Sequence, residues 1–118
     1  MTVLLVLAGG AIGAPARYVT DRLVQSRHTS GFPWGTFVVN TVGSLILGTV
    51  LGSTASPELV ALVGTGFCGA LTTYSTFGYE TVALASRRAW LLATLNAFGS
   101  IAAGLGAAGL GLALGAAL

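Results

Sequence analysis

The sequence predicts an all-α membrane protein: four transmembrane helices take up nearly the whole chain, and the third carries a stretch suited to a break. Three observations lead there. Of 118 residues, 54% are hydrophobic and only 7% charged, against about 25% charged in an ordinary soluble domain. The charges are bunched, leaving uncharged windows at residues 1–16, 28–57, 59–79 and 89–118. Gly69-Ala70-Leu71-Thr72-Thr73-Tyr74-Ser75-Thr76-Phe77-Gly78 concentrates four hydroxyl residues, two aromatics and flanking glycines in the middle of the third window and beyond it. A chain this short leaves roughly a third of its unfolded surface exposed after folding. Five basic and three acidic side chains cannot cover that surface, which excludes a water-soluble monomer.

A helix needs about 20 apolar residues to cross a bilayer core of about 30 Å. The last three windows meet this alone, and the first does when Arg17 reaches the interface. Helix 1 is expected over about 2–25. Its opening Met1-Thr2-Val3-Leu4-Leu5 has no basic residue of the kind a cleavable signal carries, so the segment is expected to stay attached. Ser30-Gly31-Phe32-Pro33 reads as a turn, with Pro33 opening helix 2 over about 34–53. Ser53-Thr54-Ala55-Ser56-Pro57 is the next connection, with Pro57 opening helix 3 over about 57–86 and Glu58 complementing its dipole. Helix 4 follows over about 89–115, so residues 1–118 form a single four-helix domain. No window alternates as a membrane strand would.

At a spacing of 56 residues, Gly10, Gly13, Ala14, Tyr18 and Thr20 recur as Gly66, Gly69, Ala70, Tyr74 and Thr76, while Asn40, Gly43, Ser44 and Gly48 recur as Asn96, Gly99, Ser100 and Gly104. With 18 glycines the matches are either partly compositional or the trace of a duplicated two-helix hairpin. Two crossings per unit would leave the halves parallel, so inverted symmetry would have to come from a second chain. Arg17, Arg22, Arg27, Arg87 and Arg88 all lie in or beside the two connections on one side of the membrane. The positive-inside rule places those connections in the cytoplasm of a plasma-membrane protein, with both termini outside.

Several function classes are excluded. Cys68 is the only cysteine and His28 the only histidine, so no intrachain disulfide, His/Cys metal site or His-dependent triad can be built. No nucleophile and base pair is visible, and an enzyme is not expected. Five scattered arginines form no patch for nucleic acid. Thr36, Asn40, Ser44 and Gly48 share one face of helix 2, and Asn96, Ser100 and Gly104 one face of helix 4. These faces serve either close helix packing or a polar path. The hydroxyl cluster of helix 3 is either back-bonded to carbonyls in an unbroken helix or marks unwound backbone, tolerated at this depth only inside protein or beside a polar cavity. Freed carbonyls would suit Na⁺ and hydroxyl donors an anion. Tyr74 and Phe77 either pack in the core or direct electropositive ring edges into a passage. Arg17 is either an interface anchor or a fixed charge that draws anions.

Gly9-Gly10-Ala11-Ile12-Gly13-Ala14-Pro15-Ala16-Arg17-Tyr18, Gly35-Thr36-Phe37-Val38-Val39-Asn40 with Gly43-Ser44, and Gly66-Phe67-Cys68-Gly69-Ala70-Leu71-Thr72-Thr73-Tyr74-Ser75-Thr76-Phe77 with Glu80 resemble, in order, the Fluc (CrcB) fluoride channel family. The resemblance implies an antiparallel dimer with two fluoride pores lined by both subunits and a structural Na⁺ at its centre. It implies carbonyls of Gly69 and Thr72 on the Na⁺, and Asn40, Tyr74, Ser75, Thr76 and Phe77 along the fluoride pore, with Arg17 near its vestibule. The implied activity is passive export of fluoride that enters as hydrogen fluoride and ionises in the cytoplasm. Two features depart from the family pattern. Tyr74 stands where phenylalanine is usual, and a five-to-zero arginine bias favours one fixed orientation. That bias favours a heterodimer with an oppositely oriented homologous chain over a homodimer in the lipid bilayer.

The rivals are a proton-coupled small multidrug exporter, which needs an embedded carboxylate in helix 1 where Asp21 lies beyond Arg17, and a non-conducting structural subunit. Asn40→Asp is expected to abolish anion flux in a channel, and to leave a structural subunit assembled, as measured by liposome efflux alongside gel filtration.

Overall fold

The computed structural model describes residues 1–118 as helices without strands. Helix 1 is Thr2–Ser26, helix 2 Trp34–Gly52, helix 3 spans Pro57–Ser86, and helix 4 spans Trp90–Ala116; each is long and apolar enough to cross a membrane. Helix 3 is interrupted. Its first half ends with Gly69–Leu71, and its second half is Ser75–Ser86. Ser56 caps the start of helix 3, its hydroxyl accepting from the Leu59 amide at 3.2 Å, with Pro57 in the first turn. The connection to helix 4 turns at Arg88, which adopts φ 59°. There the Ala89 amide donates to the Leu84 carbonyl and the Arg88 amide to Ala85, closing the reversal within a few residues.

Glycines decide how the helices pair. Helices 1 and 3 run parallel, with Gly9 and Gly13 against the backbone of Leu62, Gly66 and Phe67. Helices 2 and 4 also run parallel, with Gly48 and Gly52 against Ala108 and Leu112, and Gly111 and Gly115 against Thr49 and Ser53. A Cβ at Gly9 or Gly111 would lie 2.1 or 2.4 Å from a backbone oxygen, so these contacts exist only without side chains. Lipid tails are as apolar as leucine, and close backbone approach of this kind holds membrane helices together. Over Val60–Cys68 and Leu95–Gly99 the helices wind with wider i→i+5 turns.

Only 19 of 118 residues are buried, so one chain has little interior of its own and most of its apolar surface faces outward. The core comprises Val39, Cys68, Leu71 and Leu84 with small residues around them. The 56-residue repeat does not extend to helix shape, because helix 1 is continuous where helix 3 breaks.

Gly111→Ala is expected to destabilise the folded chain by about 1–3 kcal/mol through overpacking. Gly106→Ala, where a Cβ meets nothing within 4 Å, should leave stability unchanged. Thermal midpoints of the purified proteins in detergent check both.

Candidate functional site

The break in helix 3 lies at Thr72–Tyr74, and Thr72 is extended at φ −82°, ψ 162°. Interrupting a helix at bilayer depth leaves backbone groups that must find other partners. Helix 2 supplies them. The Asn40 side chain pairs with both backbone groups of Thr73: its Nδ2 donates to the Thr73 carbonyl at 2.9 Å, and its Oδ1 accepts from the Thr73 amide at 2.8 Å. One amide side chain thus reproduces the two-bond pattern of a peptide neighbour. Helix 1 contributes Arg17, whose Nη1 donates to the Thr72 carbonyl at 3.3 Å. Thr73 then starts the second half of the helix, its hydroxyl accepting from the Thr76 amide at 3.2 Å. The carbonyls of Gly69, Ala70 and Leu71 receive no backbone hydrogen bond across the break.

Each hydroxyl has one proton to give, and the partners show where it goes. Thr72 donates to the Cys68 carbonyl at 2.9 Å and has no proton left for a ligand. The Thr73 and Thr76 hydroxyls lie 3.1 Å apart, so one proton is spent between them and the other is free. Asn40 retains its second N–H.

An open groove of about 770 Å³ runs along helices 2, 3 and 4 beside the break. It brings together Asn40, Gly69, Thr72, Tyr74 and Phe77 with Ser100 of helix 4. A Cβ at Gly69 would meet nothing within 4 Å, so the backbone there is open to approach. The Tyr74 and Phe77 rings lie 6.2 Å apart at 52°, with Tyr74 86% exposed. Arg17 and Thr76 lie instead on a second cavity of about 210 Å³, with Asp21, Thr36 and Thr73; Thr73 is shared by both. Ser75 is exposed and lines neither. Glu80 lines a third cavity with Gln25 and Arg87, one of its carboxylate oxygens buried without a partner. Sequence reasoning missed Thr73 as the residue on which the break is fastened. The signal was its hydroxyl three positions before Thr76, at the start of a resumed helix.

These features define a multi-pass membrane protein with a broken helix that opens mid-span onto a groove between helices 2, 3 and 4. A family model described as CrcB-like protein, Camphor Resistance (CrcB), matches residues 4–112. The chain is 57% identical to "Fluoride-specific ion channel FluC 1" of Frankia casuarinae over 97% of this chain and 95% of that one. It is 58% identical to "Fluoride-specific ion channel FluC 1" of Streptomyces avermitilis over 92% and 90%. The corresponding figure for "Fluoride-specific ion channel FluC 2" of Rhodococcus jostii is 53%, over 97% and 98%. The chain belongs to the CrcB family.

Asn40→Ala would leave the Thr73 amide and carbonyl unpaired, a cost of about 1–3 kcal/mol for a buried group that loses its partner. Hydrogen exchange is expected to accelerate at the Thr73 amide and to stay unchanged at the Gly48–Gly52 contact on the far side of the fold.

Proposed function

We propose that this chain is a subunit of a fluoride-selective channel that passively exports cytoplasmic fluoride across the plasma membrane and so limits its toxicity. The observation that carries the reading is the broken helix, fastened by Asn40 and Arg17, opening mid-span beside groove-facing aromatic rings. Fluoride is small and strongly hydrated, so a path must replace its water with donors and still release it. The remaining N–H of Asn40 and the one proton that the Thr73–Thr76 hydroxyl pair leaves free are such donors. Tyr74 and Phe77 offer ring edges without a full charge, and Arg17 supplies positive charge at the second cavity. The fluoride channels named among the relatives support this chemistry over proton-coupled drug export and over a purely structural subunit.

The reading requires a second chain. Unwound backbone and a groove this open are tolerated at membrane depth only when covered by protein or lining a polar cavity. A homologous subunit in the opposite orientation would cover the groove and complete the path, and the arginine bias favours a heterodimer with cytoplasmic arginine loops and external termini. The same break would suit a structural Na⁺, a hard cation matched to carbonyl oxygen. Gly69 offers a carbonyl without a backbone donor in open space. The Thr72 carbonyl, already bonded to Arg17, has a second lone pair. These two would hold the ion, which when bound would tie the break to the partner.

Fluoride efflux from liposomes, with chloride as control, tests the function for this chain alone and co-expressed with a homologous chain. Fluoride-selective efflux only with the partner is the expected result. Efflux by the single chain would keep the channel and overturn the heterodimer. No efflux from folded, assembled protein in either case would overturn the channel.

A further inference from the structure

We infer that Asn96 is a positioning residue for the groove: it orders a one-way hydrogen-bond relay that turns the Ser100 hydroxyl into an acceptor toward the path. The inference rests on the groove being the fluoride path, and it concerns residues outside the break.

The relay begins at the Phe77 carbonyl, next to the ring that lines the groove. A carbonyl only accepts, so the Thr81 hydroxyl, 2.8 Å away, must donate to it. Having given its only proton, Thr81 can only accept from Asn96, and the Asn96 Nδ2 lies 2.8 Å from it. The amide orientation of Asn96 is therefore fixed, and its Oδ1 points along its own helix toward Ser100. Ser100, one turn on, donates to that oxygen at 3.3 Å. Asn96 is 0% exposed, so no solvent competes for either end of its amide. Ser100 lines the groove, whereas Asn96 and Thr81 do not. With its proton directed away from the groove, Ser100 presents lone pairs to the path.

This arrangement matters for an anion. A hydroxyl that donated to fluoride would add a charge-assisted bond and slow its release. A hydroxyl that presents lone pairs keeps that stretch of the groove polar without trapping the ion. Asn40 and Asn96 occupy matching positions of the 56-residue repeat, yet they do different things. Asn40 fastens the break at the groove, and Asn96 sets the polarity of a neighbour from within the core.

Two measurements test the relay. In liposome flux, Asn96→Leu removes the acceptor, releases the Ser100 proton into the groove and should slow efflux by about tenfold, the weight of one charge-assisted hydrogen bond. The double variant Asn96→Leu/Ser100→Ala should recover most of that rate, which a merely structural loss at Asn96 would not. No loss in Asn96→Leu, or no recovery in the double variant, overturns the relay. The second measurement follows the side-chain amide protons of Asn96 by NMR of the protein in detergent, and needs neither flux nor the Asn96→Leu variant. Thr81→Val should shift one of them and Ser100→Ala should leave both in place; the reverse pattern overturns the assigned polarity. Absence of efflux in the wild type would overturn the channel reading while the NMR result still decides the relay.

Discussion

The paired hydrogen bonds between Asn40 and Thr73 are the interaction on which the rest of the site depends. In water, an interrupted helix satisfies its loose ends with solvent. In hydrocarbon it cannot, and every orphaned amide or carbonyl costs free energy that packing must offset. One side-chain amide from helix 2 gives Thr73 a donor and an acceptor at once, so helix 3 can stop and restart within three residues. The carbonyls of Gly69 to Leu71 are then left without backbone partners, and Gly69 lies on the groove. A continuous helix would have used all of them internally.

The glycine contacts set the distances that make this pairing reachable. Gly9 and Gly13 bring helix 1 against the backbone of helix 3, and Arg17, one turn beyond Gly13, consequently arrives at the Thr72 carbonyl. Gly43 does the same for helix 2, since a Cβ there would strike the Thr72 side chain at 2.2 Å. A larger residue at any of these positions would push apart the helices that carry Arg17 and Asn40. Stability and site geometry therefore rest on the same small residues, and selection for one would be felt by the other.

The single chain leaves the broken stretch of helix 3 uncovered at mid-membrane. Tyr74 is 86% exposed beside broken backbone, a condition lipid does not satisfy. Outward-facing residues of helix 1 such as Leu4 and Leu7 are apolar, and acyl chains solvate such side chains without a protein partner.

Composition and charge spacing determined the four crossings, because a bilayer leaves so few alternatives for a chain with 7% charged residues. The hydroxyl and glycine run also marked where helix 3 gives way, and the ordered motifs around Arg17, Asn40 and Tyr74 pointed to the CrcB family. Tertiary structure alone decided what the two asparagines do. Both sit on small-residue helix faces at equivalent repeat positions, so periodicity cannot tell them apart. Asn40 meets an unwound backbone and pairs with it, while Asn96 meets the hydroxyl of Thr81 and is sealed in the core. The separation of Arg17 and Thr76 from the main groove was likewise beyond sequence reasoning. Sequence spacing gives the face of a helix, but which cavity that face opens onto depends on how closely glycine lets the neighbouring helix approach.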